Sequence, residues 1–202
     1  MTPVAPRTVE QGESTRRRIL DAAVIEFGRR GYRGCTLEEI AALAGVKRST
    51  ILHHFGSKEN LLTQTLAELY LPGPDGPADP TRTLADAFDA IAEESARTPD
   101  RVRFFSVIGG ESLTEDHPAH AFFRLRYDRL RREMRELVEL EAGRTGAQLS
   151  GDDARVLANL AVAAMDGVQL QWLRNPGEVD MRAEMRVVTD LIRKRLRAAG
   201  SL

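Results

Sequence analysis

The sequence predicts an all-α protein of about nine helices, and three observations carry that reading. Alternating β-branched runs that would make strands are absent. Apolar residues recur at spacings of three and four, and glycines and prolines punctuate the chain at helix-length intervals. Met1 to Gly12 shows no periodicity and reads as a flexible arm. A first helix is expected from about Ser14 to Arg30, with Ile19, Ala23 and Phe27 stacked at i, i+4 and i+8 and with Gly31 and Gly34 closing it. Thr36 and Glu39 have the spacing of a capping box, so a second helix starts after Thr36, runs through Ala44 and stops at Gly45. A third short helix covers Lys47 to His54 and ends at Gly56. Ser57 is a good N-cap for a fourth, from Lys58 to about Leu69.

Leu71 to Pro80 contains four prolines, two glycines and two aspartates, which makes it a loop and the clearest break in the chain. Five more helices are expected beyond it, over about Thr81–Arg97, Asp100–Leu113, Pro118–Ala142, Asp152–Arg174 and Val179–Ala199. The Asn175-Pro176-Gly177 turn separates the last two. Gly109-Gly110 costs a helix about 1 kcal/mol per glycine relative to alanine, so a helix break is expected there.

The 202 residues suffice for one large domain or two small ones, and 42% apolar with 29% charged is ordinary for a globular chain. One cysteine, Cys35, rules out an intrachain disulfide and leaves a cysteine-based metal site short of ligands. Met1 to Gly12 lacks the apolar centre of a signal peptide. The longest apolar run, Leu160 to Met165, is far short of the roughly 20 residues that span a bilayer. The expectation is a cytoplasmic protein with no membrane partner and no cofactor. The net charge of -1 conceals a division. Residues 1–62 carry ten basic and seven acidic side chains, a net of +3, and the remaining 140 carry 19 and 23, a net of -4.

Two short helices joined at Gly45 form a helix-turn-helix candidate, in which the second helix enters the DNA major groove by its N-terminal end. That end needs donors, and Lys47, Arg48, Ser49 and Thr50 are consecutive. Ile51 and Phe55 can turn inward against Ile19, Phe27, Leu37 and Ile40. Lys58, beside free N–H groups at the next helix start, suits a phosphate. Small helical bundles also place a glycine between two helices, so the pattern by itself leaves both readings open.

The residues go further than the pattern. Thr36-Leu37-Glu38-Glu39-Ile40-Ala41, Ala44-Gly45-Val46, Thr50-Ile51 and His53-His54-Phe55-Gly56-Ser57-Lys58-Glu59-Asn60-Leu61-Leu62 resemble the signature of TetR-type (tetracycline repressor) transcriptional regulators. Ile19-Leu20-Asp21-Ala22-Ala23 and Phe27 are similar to that family's first helix. The resemblance implies a homodimer with a DNA-binding domain over 13–62 and a ligand-binding and dimerisation domain over 63–202. It implies phosphate contacts for Thr36 and Lys58, a groove-facing set of Lys47, Arg48, Ser49 and Thr50 with Arg48 reading guanine, and His53 and His54 near the backbone. Leu52 stands where the family commonly has a DNA-contacting tyrosine, so that contact is missing or supplied by Arg16 to Arg18 or the arm.

In the larger domain, the helix over 152–174 is apolar on more than one side, so it should be buried on more than one side. Val156, Leu160, Ala164 and Val168, with Met185, Val188, Ile192 and Leu196 of the last helix, are expected to meet their symmetry mates in a four-helix bundle. Aromatics cluster in the middle helices. Phe104, Phe105, Ile108, Phe123, Tyr127, Leu130 and Met134, with Met165 and Trp172 approaching from a neighbour, are expected to line a pocket for a small, moderately apolar effector. His117 and His120, beside Glu111, Glu115 and Asp116, read as a solvated helix start rather than a metal site, and Cys35 as a buried thiol. The expected function is a transcriptional repressor released from a palindromic operator by its effector. The alternatives are a regulator or architectural DNA-binding protein without an effector, and a helical enzyme, for which no nucleophile–base pair is evident.

Overall fold

The computed structural model describes residues 6–70 and 81–199. Among these are nine helices: α1 (Pro6–Gly34), α2 (Leu37–Ala44), α3 (Arg48–Phe55), α4 (Lys58–Tyr70), α5 (Leu84–Arg97), α6 (Pro99–Glu111), α7 (His120–Thr145), α8 (Gly151–Arg174) and α9 (Met181–Ala199). Residues 1–5 of the expected arm and the expected loop over Leu71 to Pro80 lie outside the described residues. Residues 6–12, expected as arm, belong instead to α1, whose first position is a proline, a residue that position tolerates because its missing N–H would have no helical partner. Helix α5 starts later than expected because Thr83 is its N-cap. The Thr83 side chain accepts from the Asp86 N–H at 3.0 Å, and the Asp86 carboxylate accepts from the Thr83 N–H at 2.9 Å. Gly109 and Gly110 do not break α6. Gly109 is needed for closeness, since a Cβ there would lie 3.1 Å from the Phe123 ring.

The chain forms two compact units, one from residues 1–72 with 103–123 and the other from 73–102 with 124–202. In the first, α1 packs on α2 and α4, and α3 packs on α2 and α4. The expected stripe of Ile19, Ala23 and Phe27 is fully buried, as are Ile40, Ile51, Leu61, Leu62 and Leu66. At roughly 1.5–3 kcal/mol for each large apolar side chain removed from water, this stripe is what holds short helices in place. Residues 103–123 join this core. Phe104 stacks on Phe27 with centroids 6.3 Å apart and on Tyr70 at 6.5 Å, and Phe105 meets Tyr70 at 5.0 Å and Phe123 at 4.9 Å.

The last turn of α1, beyond a kink at Gly31, is fixed by a contact across 79 residues of sequence. Gly31 adopts φ 71° and ψ 176°, a backbone region essentially closed to side chains, and the turn aims the Tyr32 N–H at Glu111 Oε2, 2.7 Å away. A Cβ on Gly31 would sit 1.9 Å from Glu111 Oε1. His117, fully buried, accepts the Ala119 N–H on Nδ1 at 3.2 Å, so its Nε2 carries the proton and faces Glu111 Oε2 at 3.5 Å. Burial holds the His117 pKa below its ordinary value, against the pull of Glu111. Among the described residues no group of three or more His, Cys, Asp or Glu side chains is placed to hold a metal.

In the second unit α9 packs on α5 and α8. Phe88, Met134, Ala158, Ala161, Val162, Met165, Met181 and Met185 fill its core. Glu141, almost completely buried, accepts from Arg193 Nη2 at 2.9 Å and from the Leu84 N–H at 3.4 Å, tying α7 to α9 and α5. The Tyr127 hydroxyl donates to Asp166 Oδ2 at 2.9 Å between α7 and α8, and Gln169 donates to the Ser95 hydroxyl at 3.0 Å between α8 and α5. Burial raises the Asp166 pKa above the ordinary carboxylate value, with the Tyr127 bond opposing it. Helix α8 is long and apolar enough, by length and composition, to cross a membrane, a feature not visible in the longest apolar run. Its Ala154, Ala158, Ala161, Val162, Met165 and Val168 are buried.

The expected dimer set needs correction. Val168, Met185, Ile192 and Leu196 lie inside this unit's own core, and Ala164 and Val188 are half-buried against it. The stripe through Met181, Met185, Val188, Ile192 and Leu196 is the longer apolar stripe of α9, so the core takes it. The faces left exposed carry Val156 (46%) and Leu160 (58%) on α8 and Val187 (58%) and Leu191 (61%) on α9.

Gly31→Ala is expected to lower unfolding free energy by about 2 kcal/mol or more, because the backbone is strained and Glu111 is displaced from the Tyr32 amide. Urea titration measures it, and an unchanged midpoint would show that the turn relaxes freely. For Asp166 the sign follows from its raised folded pKa: the wild type loses stability as pH rises through the carboxylate range up to that pKa. Asp166→Asn keeps an acceptor for Tyr127 and removes the charge. Its melting temperature should exceed the wild type's at pH 7, with the gap closing on acidification.

Candidate nucleic-acid interface

Helix α2 is finished at both ends by its own neighbours. The Thr36 side chain accepts from the Glu39 N–H at 3.3 Å, the Glu39 carboxylate accepts from the Thr36 N–H at 2.9 Å, and Gly45 takes φ 64° at the C-cap. Thr36 hydrogen bonding, backbone first, holds the Glu39 carboxyl below its ordinary pKa. Arg18 of α1 closes the other end, donating through Nη2 to the Ala44 carbonyl at 2.8 Å and to Gly45 O at 3.1 Å. The three-residue connection to α3, Gly45 to Lys47, is thereby fixed at its start, the tight turn a helix-turn-helix requires.

Helix α3 is built differently. Lys47, its N-cap, is extended at φ -85° and ψ 151° and makes no side-chain capping bond. An uncapped N-terminus keeps backbone donors and the positive end of the helix dipole available to an external anion. Ile51 and Phe55 are the buried residues of α3, which places Lys47, Arg48, Ser49 and His53 in solvent and leaves Thr50, Leu52 and His54 half-buried. The sequence-predicted inward and outward residues therefore separate onto two faces, and five of the eight predicted DNA-contacting residues gather along one short helix and its cap at positions 47–50 and 53.

Of the other three, Thr36 and Lys58 bond within the protein, and His54, also on α3, is half-buried. Thr36 is occupied by its capping box. His54 lies edge-on to His53 with centroids 5.6 Å apart. Lys58 donates from Nζ to the Cys35 carbonyl at 2.5 Å and sits 4.5 Å from the centre of the Tyr32 ring, joining the start of α4 to the turn after α1. Cys35 is buried and its thiol is pushed up to about 11, by burial first, so it is an inert packing group. Arg16 and Arg18, considered as substitutes for the tyrosine replaced by Leu52, are also engaged. Arg16 pairs with Glu68 and lies over the Phe55 ring at 5.5 Å, and Arg18 caps α2. Leu52 lines a shallow groove of about 490 Å³ with Thr36, Glu38, Arg48, Ser57 and Lys58, open along the same face.

Two contributors escaped the sequence reading. Arg18 acts on carbonyls 26 residues away, for which no local spacing gives a signal. Glu38, which reads as an acidic first-turn residue of α2, pairs with Arg48 Nε at 2.8 Å. In the effector set, Phe104, Ile108 and Phe123 are buried in the first unit and Phe105 packs there on Tyr70, whereas Tyr127, Leu130, Met134, Met165 and Trp172 border the core of the second.

Known proteins show the same arrangement. Residues 19–65 match the family described as bacterial regulatory proteins, tetR family, and residues 80–197 match the BetI-type transcriptional repressor C-terminal family. The HTH-type transcriptional regulator BetI of Rhizobium meliloti is 28% identical over 200 residues, covering 92% of this chain and 91% of that protein. The regulator AcrR of Shigella flexneri is 25% identical, over 91% and 89%. Among solved structures, NalD of Pseudomonas aeruginosa, the secondary repressor of the MexAB-OprM multidrug efflux pump, superposes with a TM-score of 0.67 at 24% identity, over 91% of this chain and 96% of that one. A TetR-family regulator from Agrobacterium tumefaciens superposes at 0.70 with 19% identity, over 91% and 98%. With a DNA-binding signature over its first helices and a repressor-type C-terminal match over more than half its length, the chain belongs to the TetR family of DNA-binding transcriptional regulators.

Proposed function

We propose that the chain is a cytoplasmic, non-catalytic repressor that binds a palindromic operator as a homodimer and is released by a small, moderately apolar effector. The observation that carries this is α3, uncapped at its N-terminus, with Lys47, Arg48 and Ser49 outward and Ile51 and Phe55 buried. Such a helix offers base-reading and phosphate-binding donors while its other face anchors it. Residues 80–197 match a C-terminal family described as that of a transcriptional repressor, which supports repression over activation. Matches over 19–65 and 80–197 support a domain organisation of 13–62 for DNA and 63–202 for ligand and dimer.

The exposed apolar stripes, Val156 and Leu160 on α8 with Val187 and Leu191 on α9, support dimerisation. Two copies joined there would bury both, and a two-fold dimer suits a palindrome whose half-sites lie about one helical turn apart. Of the expected effector residues, Tyr127, Leu130, Met134, Met165 and Trp172 stay together around one apolar core, with the Tyr127–Asp166 bond as a polar feature. An effector that prefers one arrangement of the dimer over another shifts the population between them.

The test is selection from a random-sequence duplex library with the full-length chain. A palindromic site should be enriched, and Arg48→Ala should cut the preference for that site over unrelated DNA by about tenfold or more. Absence of an enriched palindrome would overturn the reading.

A further inference from the structure

Arg48 already has an acidic partner before any DNA arrives. Its Nε lies 2.8 Å from Glu38 Oε1, on the neighbouring helix, and both side chains are exposed, 53% and 66%. An ion pair in that much solvent adds little to folding stability. Its consequences lie with Arg48 itself. A guanidinium has five N–H donors in a rigid fork, and an ion pair with the carboxylate beside Nε leaves the two terminal nitrogens for an end-on approach to a base edge. Restricting the side chain beforehand also removes part of the rotamer entropy otherwise lost on docking.

The charge matters as much as the geometry. A bare cation at a DNA-facing position attracts every phosphate and so raises affinity for all sequences alike. Glu38 cancels that attraction at Arg48 and brings a negative charge to the same groove, lined by Glu38 and Arg48 together. The neighbouring Glu39 does not do the same work, because its carboxylate is taken by Thr36 and by Arg30 Nη1 at 3.1 Å.

We infer that Glu38 is a specificity-determining residue, positioning Arg48 for one base pair in each half-site and suppressing its attraction for unrelated DNA. The inference rests on the reading of α3 as the recognition helix. Glu38→Gln keeps the size of the side chain and its exposed position, so thermal melting should match the wild type and exclude a folding effect. The experiment measures binding of full-length wild type, Glu38→Gln, Arg48→Ala and the double variant to two duplexes at several salt concentrations. One duplex carries the site enriched by the wild type, and the other is its shuffled sequence.

The specific-to-shuffled affinity ratio of Glu38→Gln should fall about tenfold, with tighter binding to the shuffled duplex and a steeper salt dependence there. The double variant should have the same specific-to-shuffled ratio as Arg48→Ala, because Glu38 sets specificity through Arg48, while losing its own negative charge tightens binding to both duplexes alike. An unchanged ratio for Glu38→Gln, or an equal gain on both duplexes, would overturn the inference and leave the recognition helix standing, provided Arg48→Ala loses the preference. If Arg48→Ala keeps the preference, the recognition-helix reading falls and the role of Glu38 falls with it.

Discussion

An eight-residue helix is too short to hold its shape alone in water, so α3 depends on the burial of Ile51 and Phe55 beneath it. Everything the DNA face offers follows from that anchoring. With two positions one turn apart committed to the core, the opposite side of the helix is fixed in orientation, and Lys47, Arg48 and Ser49 face outward as a group. The surrounding devices serve the same end. Arg18 and the Thr36–Glu39 capping box terminate α2, Lys58 ties α4 to the carbonyl of Cys35, and the Gly31 kink sets the last turn of α1. Each converts a charged or polar group from a free surface charge into a structural bond.

That conversion changes the meaning of the charge balance. The excess of +3 over residues 1–62 suggested a basic surface. In the folded unit Arg16, Arg18, Arg30 and Lys58 are spent on Glu68, backbone carbonyls and Glu39, and Arg48 is matched by Glu38. These contacts leave the net charge unchanged, but they fix where most of the cationic groups point. In the proposed dimer, oriented contacts made twice, once per subunit, add to the electrostatic attraction and carry the preference for one site.

What was legible in the sequence was local. Capping at Thr36, the left-handed stop at Gly45 and the start of α4 after Ser57 each follow from residues within four positions of one another, and the 3.6-residue period marked Ile19, Ala23 and Phe27 as core. What was not legible depends on partners far along the chain. Glu111 meets the Tyr32 amide across 79 residues, residues 103–123 join the first unit, and Gly109 sits against the Phe123 ring. Periodicity also cannot say which of two apolar stripes on α9 meets the core, since both repeat at helical spacing. The longer stripe went inward, and Val187 and Leu191 were left outside.

In the proposed complex, α3 of two copies reads one face of the DNA. Hydroxyl-radical footprinting of the enriched duplex with the full-length chain, at saturating protein and fixed salt, tests it most directly. Two symmetric protected patches, on the same side of the duplex and about one helical turn apart, are the predicted result. A single patch, or protection spread evenly along the duplex, would contradict it.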